Sequence, residues 1–515
     1  MTWKPEIEEL RRREALAREM GGAEKVARQH AAGRLTVRER IARLLDEGSF
    51  HEIGALTGKA SYHASGALES FVPANFVFGR GRVEGRPVVV AGDDFTVRGG
   101  AADAAIYQKQ VMAEQMANEL RLPLIRLVDG TGGGGSVKQL AAMGRTYLPF
   151  NPGWDLIVRN LATVPVVALA LGPAAGLGAA RVVSSHYSIM VKGLSQVFVA
   201  GPPLVAAVGE KVEKEALGGS AIHAHNGVVD DEVLSEDEAL ERARRFLSYL
   251  PQSVHELAAR LAPTDDPQRR EESLLSVIPR ERRKVYKARS LIDSLFDRGT
   301  LFEMGRLNGR AAITALARLD GWPVALLASD PHFHGGSWDA AACEKVTRFL
   351  DLAETFHLPV VHLVDQPGFP IGTLAEKAGT IRAGARLLAA VYQATVPWCS
   401  VVLRRAFGVA GAGHQNHARL NVRYAWPSGD WGSLPLDGGI EAAFKAELAA
   451  SADPVALRAR IDAELSAVRS PFRTAEAFWV EEIIDPRDTR PLLCEFAGLA
   501  APLRTPGFST HGLRP

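Results

Sequence analysis

The residues whose types and spacing could do chemistry lie in glycine-rich turns. GPAAGLG (172–178) and RAFGVAG (405–411) each close an apolar run in glycine and alanine, just before a small-residue helix start. Such turns let backbone come close to backbone or to a ligand. Amides such as those of Leu177 and Val409 could then point together at an oxygen that gains negative charge, an arrangement called an oxyanion hole. Glycine that merely lets helix and sheet touch would leave the same residues. A third loop, DGTGGGGS (129–136), follows a buried-looking strand and could cradle an anion on its amides. Tight-turn packing explains that loop equally well. It lacks the Lys-Ser/Thr ending of a Walker loop, and its place after an internal strand does not suit a dinucleotide fingerprint.

Side chains offer less. No GxSxG elbow, no HExxH and no isolated Ser, His and Asp set stands out. His332 and His334 alternate in an extended stretch, and His414 and His417 lie in a polar loop. Metal ligation is one reading of them, and ordinary hydrogen bonding is the commoner one. Cys343, Cys399 and Cys494 lack CxxC spacing, so neither a disulfide framework nor a cysteine zinc site is signalled, and a reducing cytoplasm fits. Chemistry from backbone amides suits this chain better than chemistry from side chains.

The elements that must position these turns are written twice. Ile41, Leu44, Asp46, Gly48 and Glu52 recur as Ile292, Leu295, Asp297, Gly299 and Glu303. Pro87, Asp94, Gly99, Gly100, Lys109, Pro123 and Asp129 recur as Pro323, Asp330, Gly335, Gly336, Lys345, Pro359 and Asp365. Ala162-Thr-Val-Pro165 recurs at 394–397, which brings Gly176 onto Gly408. Self-similarity over half a chain points to duplicated domains. Each copy reads as strand (RPVVVAG or WPVALLAS), glycine turn, long helix (101–120 or 340–356), buried strand (LPLIRLVD or LPVVHLVD), glycine-rich loop, helix and a further buried strand. Continuous β-branched strands alternating with helices predict parallel sheets covered on both faces. The polar segment 261–284 joins the copies, and a boundary near 259 gives domains 1–258 and 259–515.

A chain of 515 residues is too long for one ordinary core. Sixty Lys and Arg against 59 Asp and Glu leave no basic surplus for a nucleic-acid partner. The first thirty residues carry mixed charge and no apolar run of signal-peptide length, so export is not expected. Leu161 to Ala180 has no charge for twenty residues, which raises a membrane span as an alternative. Pro165, Pro173 and three glycines interrupt it, and Arg404 and Arg405 break its twin, so a buried strand, a turn and a helix start are expected instead.

The motifs GRLTVRERIARLLDEGSFHEIG (33–54), GDDFTVRGGAAD (92–103), GPAAGLGAA, MVKGLSQVFVAGP (190–202), EALGGSAIHAHNGVVD (215–230), VDQPGFPIGT (364–373), NVRYAWPSG (421–429) and VEEIIDPRDTRPLL (480–493) span nearly the whole chain. Together they resemble the carboxyltransferase (β) subunits of biotin-dependent acyl-CoA carboxylases. The resemblance implies an α/β protein of two tandem crotonase-like domains related by duplication, with CoA mainly on the first and biotin approaching the second. It implies that Gly176 and Leu177 hold a thioester enolate while Val409 and Ala410 hold the biotin oxygen. By the same token Gly99, Gly100, Gly132, Gly133, Gly134, Ala174, Ala175 and Ala412 would contact the acyl-CoA substrate, and Gly335, Gly336, Gly368, Phe369 and Gly408 would line the biotin side. No metal is implied. The family's usual assembly is a hexamer, a trimer of dimers, with each site shared between two subunits. The chain has no Met-Lys-Met biotinylation motif, so carboxybiotin would come from a separate biotin carboxylase and biotin carrier subunit. GTGGGGSVKQ lacks the arginine that follows these glycines in many relatives. Ala412 is smaller than its counterpart in short-acyl enzymes, and GHQNH (413–417) is not their usual text, which implies a roomier or different acyl pocket. A biotin-dependent acyl-CoA decarboxylase subunit and a non-catalytic assembly subunit of the same fold are the alternatives.

Overall fold

Apolar runs bounded by turn residues become the strands of two separate sheets. The computed structural model describes residues 2–100, 106–130, 141, 143–420 and 422–511, and the chain divides into two compact units, Met1–Glu256 and Leu257–Arg514. In the first unit, β1 (His51–Ile53), β2 (Phe76–Val83), β3 (Arg86–Asp93), β4 (Leu124–Val128), β5 (Val166–Ala170), β6 (Tyr187–Val191) and β7 (Asp231–Val233) form one sheet whose strand order follows the chain. Pairing is antiparallel from β1 to β3 and parallel from β3 to β7. The sequences LIRLV, VVALA and YSIMV are buried at every position, as parallel strands covered on both faces require. Phe76, Phe78, Val89, Ala91, Leu124 and Val166 fill one face with Ala113 and Ala117, which sit on α2 (Tyr107–Leu120). The expected start of that helix, at 101, lies outside the described residues.

The second unit repeats the plan. β8 (Phe302–Met304), β9 (Ala312–Leu319), β10 (Trp322–Ser329), β11 (Val360–Gln366), β12 (Trp398–Phe407), β13 (Val422–Ala425) and β14 (Glu482–Ile483) again lie in chain order. Pairing again changes from antiparallel to parallel at the third strand. The long helix predicted over 340–356 is α4 (Ala340–Thr355), started by the Asp339 side chain, which accepts from the Ala342 amide at 2.9 Å. The duplication reaches small pieces too. Gln196–Phe198 pairs in parallel with Pro173–Ala175, and Asp430–Gly432 pairs in parallel with the end of β12.

The uncharged stretch from Leu161 resolves into the end of one helix, β5, the short strand Pro173–Ala175 and the start of α3 (Leu177–Val183). Among the described residues no helix is long and apolar enough to cross a membrane. One short helix matters for the site. α1 (Val37–Leu44) begins with a capping box in which the Thr36 hydroxyl accepts from the Glu39 amide while the Glu39 carboxylate accepts from the Thr36 amide. Its inner face buries Val37, Ile41 and Leu44, and among them Arg40.

Candidate active site

In the first unit the turns leave the carboxyl ends of β3, β4 and β5, where open α/β sheets hold their ligands. After β3, Gly99 and Gly100 turn at φ 62° and 66°. A Cβ on Gly100 would lie 2.7 Å from the Asp129 carbonyl oxygen and 2.9 Å from Gly130 Cα, so the two loops touch backbone to backbone. After β5 the chain passes the buried Ala174 and the half-buried Ala175 into α3, with Gly176 capping it at φ 56°, ψ −119°. The Gly176 amide, expected to face a substrate oxygen, instead donates to the Phe198 carbonyl at 3.1 Å. The Leu177 amide at the helix start has no backbone acceptor among the described residues. Above the turn there is room, since a Cβ on Gly176 would meet nothing within 4 Å. The loop carrying Gly132, Gly133 and Gly134 lies outside the described residues.

A buried carboxylate holds this turn from below. Asp129, at the end of β4, accepts from Arg40 Nη1 at 2.9 Å, Gln29 Nε2 at 3.3 Å and Arg34 Nη1 at 3.4 Å. It lies so close under the turn that a Cβ on Gly172 would fall 2.0 Å from its Oδ1. Arg40 also donates to Glu236 and, through Nη2, to the Leu171 carbonyl at 2.9 Å. Burial alone would lower the pKa of this guanidinium, but Asp129 and Glu236 outweigh it and raise the value.

The second unit builds the same backbone on different supports. Gly335 and Gly336 turn at φ 63° and 91°, with the Asp365 carbonyl oxygen 3.1 Å from where a Gly336 Cβ would be. β12 then runs into α5 (Gly408–Ala412) with Gly408 at φ 59°. The Val409 and Ala410 amides have no backbone acceptor among the described residues, and the Val409 side chain is exposed. Gly368, at φ 115°, donates its amide to Gln366 Oε1 at 3.2 Å. Phe369 lays its ring against Gly384, where a Cβ would fall 2.6 Å from Phe369 Cζ.

Asp365, at the position of Asp129, accepts from Arg404 Nη2 at 2.8 Å, Arg405 Nε at 2.7 Å, the Arg405 amide at 3.2 Å and the Tyr286 hydroxyl at 3.1 Å. Burial would raise this carboxyl, but Arg405 and Arg404 outweigh it and hold the group below its ordinary value. Arg405 Nη2 donates to the Gly335 carbonyl at 2.6 Å, which ties the first turn to the third.

The polar loop GHQNH closes the other end of α5. The Gly413 amide donates to the Val409 carbonyl at 3.1 Å, His414 Nδ1 to the Gly411 carbonyl at 2.7 Å and His417 Nε2 to the Ala412 carbonyl at 3.1 Å. Ala412 itself is exposed at this end. The His414 carbonyl in turn accepts from Trp398 Nε1 at 3.0 Å, Ser400 Oγ at 3.1 Å and His362 Nδ1 at 3.1 Å. Burial pushes His362 down to about 4 and His414 down to about 3, so both are neutral imidazoles. These histidines serve the helix end. Among the described residues no cluster of three or more His, Cys, Asp or Glu could hold a metal ion.

Sequence reasoning located the turns and missed their supports. Asp129 and Asp365 carried a signal, because both copies end the second long strand in Val-Asp. Arg40 carried none, since it reaches Asp129 from 89 residues away.

The carboxyl transferase domain model matches residues 28–505. The propionyl-CoA carboxylase carboxyltransferase subunit of Haloferax mediterranei is 32% identical, over 99% of this chain and 99% of its own length. The methylmalonyl-CoA carboxyltransferase 12S subunit of Propionibacterium freudenreichii is 33% identical, over 95% of this chain and 93% of its own. The crystal structure of the hexameric transcarboxylase 12S, with methylmalonyl-coenzyme A bound, superposes with a TM-score of 0.88 at 30% identity, covering 100% of this chain and 99% of that one. With its repeated sheets and repeated turns, the chain belongs to the carboxyl transferase domain family and is a carboxyltransferase of two crotonase-like domains.

Proposed function

We propose that this chain is the carboxyltransferase subunit of a biotin-dependent acyl-CoA carboxylase, adding a carboxyl group to the α or vinylogous carbon of an acyl-CoA. Carboxybiotin, on a separate carrier subunit, supplies the carboxyl group and a ureido nitrogen able to take the substrate's α proton. One observation carries the reading. Each unit presents, beside a positive-φ glycine, helix-start amides with no backbone acceptor among the described residues.

Two oxygens gain charge in such a transfer, the thioester oxygen and the ureido oxygen, and a duplicated chain has a turn for each. In the first unit Leu177 donates its amide to the thioester oxygen, with Gly176 setting the turn. Gly99, Gly100, Gly132, Gly133, Gly134, Ala174 and Ala175 supply close backbone approach to the acyl-CoA, and Ala412 leaves room for its acyl end. In the second unit Val409 and Ala410 donate to the ureido oxygen, with Gly335, Gly336, Gly368, Phe369 and Gly408 around it. The turns fit an anionic oxygen because a Cβ on Gly176 would meet nothing within 4 Å and one on Gly408 only the Ser433 carbonyl oxygen at 3.5 Å. Each such donor contributes about 3 kcal/mol in a water-excluded site. The chain works as a hexamer in a reducing cytoplasm, which suits three buried free cysteines.

The test is the half-reaction without ATP. Purified chain is mixed with carboxylated biotin carrier and a panel of acyl-CoA esters, and mass spectrometry follows the carboxyl group. Transfer to at least one ester is expected. No transfer to any, with carrier and oligomer intact, would overturn the reading.

A further inference from the structure

The second unit holds a cavity of about 990 Å³ beside its turns, and of the residues proposed above for the biotin side only Gly335 lines it. It lies past the carboxyl ends of β10 to β14, with Pro331, Pro367, Phe407, Trp426 and Pro486 on its walls. Leu274, Leu275 and Ile278 add apolar wall from the segment that precedes Tyr286.

Its charge is one-sided. Arg280, Arg282, Arg283, Lys284, Arg404, Arg405 and Arg469 line it against a single lining carboxylate, Asp430. Asp430 pairs with Arg469, Asp365 is shared by Arg404 and Arg405, and Glu281 pairs with Lys284. Seven cations against these three carboxylates leave an excess of four. Arg280, Arg282 and Arg283 are exposed and have no ion-pair partner among the described residues. A separate observation points the same way. Arg469 Nη1 is buried in the wall with no hydrogen-bond partner, although Nη2 of the same group meets Asp430. An unpaired guanidinium donor inside a cationic cavity is costly unless an anion completes it.

We propose that this cavity is a binding site for a small phosphate-rich ligand carrying about four negative charges on a partly apolar body. The phosphates meet the 280–284 rim and Arg469 Nη1, and the body lies on the proline and leucine walls. A nucleoside triphosphate and the nucleotide end of a CoA ester share this chemistry. Val409 and Ala410 are not among the residues that line the cavity, although Gly335 and Phe407 are, and the proposal does not rest on the assignment of carboxyl transfer. A cavity lined by one sign of charge concentrates counter-ions, so binding weakens steeply with salt.

Hydrogen–deuterium exchange of the assembled full-length protein tests this, following peptides over 274–286 and 466–470 with ATP, CoA or tripolyphosphate. Wild type should show saturable protection with ATP, with CoA or with both, and the arm that protects names the source. Tripolyphosphate should protect more weakly for lack of a body. The triple variant Arg280→Ser, Arg282→Ser, Arg283→Ser changes only exposed side chains, and at low salt it should weaken binding at least tenfold. Arg469→Gln should weaken it while the triple variant's rim stays intact. The proposal is overturned if neither ATP nor CoA protects these peptides, or if the triple variant binds as wild type does. Protection by poly-glutamate alone would also overturn it, in favour of an acidic protein partner.

Discussion

The turns at Gly176 and Gly408 share a backbone and differ in how they are held. In the first unit Asp129 relies chiefly on Arg40, which arrives from a helix far back in the chain and is shared with Glu236 and the Leu171 carbonyl. In the second unit Asp365 is neutralised from the adjacent strand, by Arg404 and Arg405. α3 has seven residues, and Gly178, Ala179, Arg181 and Val182 are buried. α5 has five, and His414 and His417 close its far end. Duplication has kept the glycine and the strand-end carboxylate and rebuilt the counter-charge and the cap. A backbone donor constrains geometry rather than side-chain identity, so its supports are free to drift.

The largest effect should come from removing the donors. Leu177→Pro and Ala410→Pro each delete one amide, and proline at the first helical position, where Leu177 sits, is compatible with a folded helix. Each should cut turnover by roughly 10² to 10³. Near-normal turnover in folded Ala410→Pro protein would remove the second turn from the chemistry.

Next is the asymmetry of support. Arg40→Ala leaves Asp129 and Glu236 buried without their shared cation and should cost about 3 to 5 kcal/mol in denaturant unfolding. Arg405→Ala leaves Arg404 on Asp365, so about 1 kcal/mol is expected, with a change in KM for the carrier through the Gly335 carbonyl. Equal costs would mean that the two carboxylates are supported alike after all.

Acid should single out the second turn. His362 has a folded value of about 4 against an ordinary 6.5, so between these values the unfolded state binds more protons. The stabilisation is complete above pH 6.5 and is lost as pH falls toward 4, about 3 kcal/mol for this group. His414, depressed to about 3, adds in the same direction. Amide exchange in 407–416, corrected for intrinsic pH dependence, should rise between pH 7 and 5. No rise would place these imidazoles elsewhere. The smallest effect belongs to Val409→Ala, which keeps the amide and trims a side chain that is 56% exposed. Turnover should change less than about twofold, within the ordinary range of surface substitutions.

The legible parts were those written locally. Buried runs such as VVALA and VVHLV and the glycines after each strand are short-range signals, and they place strands, turns and the duplication. The offset that set Gly176 on Gly408 paired two turns that the folded chain builds alike. What stayed hidden depends on distance. The Phe198 carbonyl engages the Gly176 amide, and Arg40 meets Asp129, only because separate segments come together in three dimensions. The histidines of GHQNH were ambiguous because a polar loop has the same composition whether its side chains face a metal or the end of a helix.

Along the seven-strand path of each sheet every new strand joins the edge that the preceding strand left open, the short Asp430–Gly432 on β12 lying off that path, so spatial order and order of synthesis coincide. A growing chain therefore never needs to keep an early strand unpaired while waiting for a late one, and loop closures stay short relative to the unit's length. At roughly 5 to 20 residues per second the first 256 residues emerge over tens of seconds, long compared with the closing of any one strand pair. The first sheet has the time and the partners to complete itself before the last strands of the second are made.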